Sequence, residues 1–251
     1  MASSRSAAVY ADFLLPRLTS EMHLVDVGCG SGELSLDLAL RVGRVTGVDG
    51  DAGEIASARA SAAASGTTNA DFVVGDAYAL PLPDAVADAV FGHSVLEAVE
   101  RPADVLAEMS RVVRPGGLVA VASVEYGGLI LAGPHGARIR QFFDLRERLW
   151  LADGAFPYRG RDLRGLLVAS GLGQVEATTT SISYGTEDAV REFGLGRADD
   201  CLDEWYVDSA RREGLATAAD LTTMREAWLE WAESPTSYAA FAWCRALGRK
   251  V

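Results

Sequence analysis

The chain has 251 residues, 49% of them hydrophobic and 23% charged, which excludes a disulfide-stapled miniprotein or a fibrous chain and leaves one large domain or a core with an appended subdomain. Its 23 basic against 35 acidic side chains give a net charge of −12, which opposes attraction to phosphate backbones and anionic membranes, so no nucleic acid and no membrane is an expected partner. Cys29, Cys201 and Cys244 form neither a CxxC pair nor a metal-ligand spacing, which predicts reduced thiols, a cytoplasmic location and no metal site.

Asp12 interrupts the amino-terminal apolar run, and no segment approaches the roughly 20 apolar residues of a membrane span. From there the first half alternates short apolar runs with segments of helical composition, the pattern of parallel strands joined by crossover helices. Strands are predicted at 24–27, 45–49, 72–74, 87–91 and 118–124, with helices at 33–41, 51–65 and 102–113. Leu34, Leu36, Leu38 and Leu40 alternate with the period of a strand. We read a helix there, because no β-branched residue interrupts 33–40 and two parallel strands need a crossover.

Arg114-Pro-Gly-Gly117 stops the third helix, and the residues 127–159 have loop character around an amphipathic stretch at 139–151. A helix at 162–170, an extended run at 175–184 and a last one at 238–247 follow. Between the two runs the composition is helical, and Thr217 to Asp220 resembles a capping box ahead of a Leu221, Met224, Trp228, Trp231 stripe. The predicted divisions are a cofactor-binding core over 1–126, an inserted lid over 127–160, a core helix and strand over 161–185, a helical lid over 186–235 and a core strand over 236–251.

The strongest signal for chemistry is Leu24-Val-Asp-Val-Gly-Cys-Gly-Ser-Gly-Glu33, an apolar strand running into Gly28, Gly30 and Gly32 and then a helix. Glycines there let a ligand approach bare backbone at the carboxyl edge of a sheet. The dinucleotide fingerprint needs a small residue where this chain has Glu33. Asp26 and Glu33 would repel a pyrophosphate and suit a cationic ligand. Asp49, 21 residues after Gly28, ends the second strand where a carboxylate accepts from both ribose hydroxyls. Asp76 follows the third strand, placed to receive an adenine amino group. Ribose and adenine without phosphate, plus a positive tail, describe S-adenosylmethionine.

With these residues in place, the sequence resembles the class I S-adenosylmethionine-dependent methyltransferases, and within them the branch of the ubiquinone and menaquinone biosynthesis C-methyltransferases. The matching segments are VDVGCGSG at 25–32, VTGVDGD at 45–51, VVGDAYALPLPD at 73–84, DAVFGHSVLEAV at 88–99 and EMSRVVRPGGLVAV at 108–121. The resemblance implies an α/β fold, a Rossmann-like, mostly parallel seven-stranded sheet whose last strand is antiparallel, with helices on both faces and a helical lid. It implies S-adenosylmethionine as cofactor and S-adenosylhomocysteine as product. It sets Asp26, Gly28, Cys29, Gly30 and Gly32 beside the methionine part, Asp49 and Gly50 at the ribose, Asp76 and Ala77 at the adenine, and His93 near the methionine end. Arg5 and the stretch to Pro16 match the family's amino-terminal helix.

Each residue has a plainer reading beside this one. Cys29 serves as a small filler or as a nucleophile. His93 is a general base, a residue of the cofactor's surroundings or a structural imidazole. Tyr126, expected just past the fifth strand, is a weaker candidate base or a packing aromatic. The Trp228 and Trp231 stripe is core or substrate contact, and His23 and His135 are read as surface residues. Phe193, Trp205 and Tyr206 of the lid would favour an apolar or aromatic small-molecule acceptor. The competing classes are a cofactor-binding accessory protein without methyl transfer and a nicotinamide-dependent oxidoreductase, the latter disfavoured by Glu33.

Overall fold

The computed structural model describes residues 6–251, so the predicted contact at Arg5 lies outside the described residues. Seven strands form one sheet: β1 (His23–Val27), β2 (Arg44–Asp49), β3 (Ala70–Val74), β4 (Ala87–His93), β5 (Val113–Ala132), β6 (Gly173–Tyr184) and β7 (Tyr238–Arg249). Their order is β3-β2-β1-β4-β5-β7-β6, with β1 to β5 paired in parallel and the last strand antiparallel. The order reverses between β1 and β4, the switch point at which open α/β sheets bind ligands beyond the strands' carboxyl ends.

The crossovers are α2 (Glu33–Ala39), α3 (Ala52–Ser65) and α4 (Pro102–Val112), preceded by a single turn, α1 (Ala7–Tyr10). The leucine alternation does form a helix: Leu34 and Leu38, one turn apart, are buried, while Leu40 lies exposed past its end. Strand residues alternate between two cores, as the period of two requires. Val25, Val90 and Val119 face Val105, Leu106 and Met109 of α4, whereas Leu24, Phe91 and Leu118 face Leu34 and Leu38 of α2.

Two expectations fail in the fifth strand. It runs from Val113 to Ala132, so the Arg114-Pro-Gly-Gly117 turn does not delay it, and Tyr126 lies within the strand, not past it. Gly127 and Gly128 were read as loop residues, but a Cβ on Gly128 would overlap Ala242 of β7, so the glycine marks a close approach inside a sheet.

By compactness the described chain divides into two units. The first comprises residues 6–124, Tyr158–Thr180 and Trp243–Val251, and includes α6 (Leu163–Ala169). The second comprises Glu125–Pro157 and Ser181–Ala242, with α5 (Gly136–Ala152), α7 (Glu187–Asp200), α8 (Glu204–Arg212) and α9 (Ala218–Ala232). Three of the boundaries fall inside β5, β6 and β7, and the fourth falls between Pro157 and Tyr158.

The second unit is built on aromatic rings. Phe142, Tyr206, Trp228 and Trp231 are fully buried; Tyr206 donates its hydroxyl hydrogen to Phe142 O at 3.1 Å, and Trp231 Nε1 donates to Ala132 O at 2.8 Å. The capping box forms as expected, Thr217 and Asp220 bonding each other's backbone N–H at the start of α9. Among the described residues no helix is long and apolar enough to cross a membrane.

Candidate functional site

The glycine loop between β1 and α2 forms one wall of a cavity of about 330 Å³ in the first unit, lined by Asp26, Gly28, Cys29, Gly30, Ser31, Glu33, Leu34, Glu54 and His93. Two of its glycines are obligatory for different reasons. Gly28 has φ +70° and leaves no room for a Cβ, which would lie 2.5 Å from Val95 Cγ2. Gly32 has φ +83° and closes on Ala58 and Phe72, each about 2.9 Å from where its Cβ would stand. Such a loop brings main chain to the cavity wall with few side chains in the way, its shape held by bonds from Gly28 N and Cys29 N to Val48 O and from Gly30 N to Asp49.

Carboxylates dominate the charged lining. Asp26 is 2% exposed and accepts a 2.5 Å hydrogen bond from Ser35 Oγ. Burial pushes its pKa up to about 7, partly offset by the Ser35 bond and reinforced by the neighbouring Asp49 charge. Burial likewise pushes the Cys29 thiol up, so Cys29 stays protonated and fills space, its Sγ directed at Gly30 O at 3.6 Å. Asp49 closes the loop from the β2 side: Oδ2 accepts from Gly30 N at 2.8 Å and Oδ1 from Asp51 N at 3.0 Å.

His93, at the end of β4, is 5% exposed. Its ring stacks on Trp243 with centroids 4.6 Å apart and meets the edge of Tyr10 at 4.9 Å. The adenine candidates lie apart from the cavity lining. Asp76 is exposed and folds its carboxylate back onto Tyr78 N at 2.8 Å, while Ala77 packs on the core and Gly50 is exposed.

Tyr126 belongs to the second unit, among Phe143, Trp150 and Phe241. Desolvation raises the pKa of its phenol, although Arg146 and Arg197 pull the other way, so it holds its proton. Tyr206 and Phe193 are buried in that unit's core, with Phe193 stacked on Tyr184; Trp205 is the exposed one of the three, its Nε1 bonded to Asp153. The Leu221, Met224, Trp228 and Trp231 stripe is likewise core. His135 is exposed and pairs with Glu230, whereas His23, read as a surface residue, is half-buried with Nε2 2.8 Å from Thr46 Oγ1.

Four cavity or near-cavity residues escape the sequence reading. Glu54 reaches the cavity because Asp51 caps α3, accepting from Gly53 N and Glu54 N and fixing Glu54 in the first turn. Asp followed three residues later by Glu was a visible signal for it. Glu97 is 1% exposed, accepts from Ser123 Oγ at 2.6 Å, and has its pKa raised by burial. Tyr10 and Trp243 reach His93 from opposite ends of the chain, and no local pattern announces that. Among the described residues no group of three or more metal-ligating side chains gathers.

Comparison with known proteins agrees with this geometry. Residues 25–121 match the family described as a methyltransferase domain. A malonyl-[acyl-carrier protein] O-methyltransferase of Serratia marcescens is 36% identical over 106 residues, which are 42% of this chain and 40% of that protein. The chain therefore spans less than half the length of that relative. An uncharacterized methyltransferase of Schizosaccharomyces pombe is 26% identical over 243 residues, 91% of this chain and 84% of that one. A putative methyltransferase from Bacillus halodurans, 16% identical, superposes with a TM-score of 0.60 over 97% of this chain and 99% of the other, which speaks for the fold. Residues 25–121 thus match a methyltransferase domain, and the chain has the Rossmann-like fold of its methyltransferase structural neighbours.

Proposed function

We propose that the chain transfers a methyl group from S-adenosylmethionine to a small molecule with an apolar or aromatic body, leaving S-adenosylhomocysteine. One observation carries the reading: the cavity beside the glycine loop combines backbone with three carboxylates, Asp26, Glu33 and Glu54, and among the described residues no basic side chain lines it. A pyrophosphate would meet like charge there, while an ammonium or sulfonium is attracted. The group fits the donors present, since the Asp49 carboxylate stands at the loop's rim for the ribose hydroxyls, and Asp76 and Ala77 follow β3 for the adenine.

When bound, the cofactor supplies a methyl on a positively charged sulfur, already activated for displacement. The protein's share is then alignment and exclusion of water, which can be worth several kcal/mol. Gly28, Gly30 and Gly32 hold the backbone open, Asp26 and Glu33 attract the cationic tail, and Cys29 fills the floor. His93, at the cavity wall, takes the proton from an acceptor that arrives protonated. Tyr126, kept as a phenol in the second unit, is a hydrogen-bond donor. The partly exposed rings of Trp150 and Trp205 in the second unit support an apolar or aromatic acceptor.

Calorimetric titration tests the reading. S-adenosylhomocysteine is expected to bind with a Kd on the order of micromolar, and NAD at least about 100-fold more weakly. NAD binding as tightly as S-adenosylhomocysteine would overturn it.

A further inference from the structure

In the second unit two largely buried arginines share a single aspartate. Arg146 on α5 and Arg197 on α7 have side chains only 18% and 27% exposed, and both ion pairs run to one oxygen of Asp200, from Arg146 Nη1 at 2.6 Å and from Arg197 Nε at 3.2 Å. Arg146 also interacts electrostatically with the Tyr126 hydroxyl, a neutral partner. Each guanidinium lies over an aromatic ring, Arg146 at 5.5 Å from the Trp150 centroid and Arg197 at 5.4 Å from that of Phe193. Two cations thus share one carboxylate, and the Nε atom of Arg146 is buried without a hydrogen-bond acceptor.

A clamp between α5 and α7 needs one arginine and one aspartate. A second guanidinium adds a desolvation cost with no second anion to offset it, and it repels the first. An uncompensated buried charge of this kind is the mark of a site completed by a ligand. The guanidinium fork fits carboxylate and phosphate oxygens in bidentate fashion, and the remaining exposure of both side chains leaves them an approach from solvent.

We propose that Arg146, Arg197 and Tyr126 form an oxyanion subsite, which receives a carboxylate or phosphate carried by the methyl acceptor while its apolar body packs on the half-buried ring of Trp150. The inference rests on the methyl-transfer reading for the word acceptor, but the subsite itself does not. The cofactor cavity repels anions and this cluster attracts them, so the two ligands are sorted by charge.

Model ligands test it on the full chain with S-adenosylhomocysteine present, followed by calorimetry or tryptophan fluorescence. Benzoate and phenyl phosphate carry the anion in its two forms, and benzamide is the uncharged counterpart. At least one anion is expected to bind about tenfold or more tighter than benzamide, and whichever binds tighter identifies the source. Arg197→Gln should remove that preference while changing benzamide binding and S-adenosylhomocysteine affinity less than about twofold. Equal binding of the three compounds, no binding of any, or an anion preference that survives Arg197→Gln would overturn the proposal. Should Arg197→Gln fail to melt cooperatively, the comparison of anions with benzamide on the unaltered chain decides alone. A failure of S-adenosylhomocysteine to bind would sink the methyl-transfer reading and leave this comparison standing.

Discussion

The two units solve opposite electrostatic problems with opposite chain economies. The cavity of the first unit is acidic, and eight of its nine lining residues come from two short segments, Asp26 to Leu34 and Glu54, plus His93 from one strand end. The cluster of the second unit is basic, and it draws Tyr126, Arg146, Arg197 and Asp200 from a strand and two helices. A site made by one loop is set by local backbone geometry. One made by converging helices depends on packing among residues far apart in sequence.

That difference orders the expected effects, beginning with the largest. Asp26 has a folded pKa near 7 against an ordinary 3.8, so the folded chain keeps a proton that the unfolded chain releases first, and stability falls as pH rises from about 4 to 7. The fall is on the order of 4 kcal/mol, and Asp26→Asn should flatten it, as read by denaturant unfolding across pH 4 to 8. A slope unchanged in the variant would show that burial does not control this carboxyl. Gly28→Ala forces a Cβ against Val95 at positive φ and should weaken S-adenosylhomocysteine binding about 100-fold in calorimetry.

Asp49→Ala removes a carboxylate that both steadies Gly30 and awaits the ribose, and about tenfold weaker binding is expected. Unchanged affinity would refute the ribose assignment. Thr217→Ala, in the second unit, breaks the capping box and should cost about 1 kcal/mol in a thermal melt, with no change in cofactor affinity. A loss of cofactor binding in that variant would mean that the two units do not act as separately as the comparison holds.

The same contrast explains what was legible in the sequence. The alternation of apolar runs with helical segments placed the parallel strands and crossovers, because strand burial on both faces and helix caps are written locally. The glycine loop and its flanking acids were readable for the same reason. The fifth strand was cut short because Gly127 and Gly128 look like loop glycines until Ala242 is brought against them, a fact about pairing across more than a hundred residues. Phe193 and Tyr206 were assigned to an acceptor surface on aromatic character alone, and the packing buries them. The Trp243 ring on His93 and the arginines sharing Asp200 have no local pattern, since each partner is ordinary where it stands in the chain.

Crystals grown with S-adenosylhomocysteine bring the central claim to a single map. Electron density for S-adenosylhomocysteine is expected beside the Gly28 to Ser31 loop, with the ribose hydroxyls on the Asp49 carboxylate and the amino group of its amino-acid tail toward Asp26. Density for the ligand elsewhere on the chain, with that cavity holding only solvent, would contradict the account.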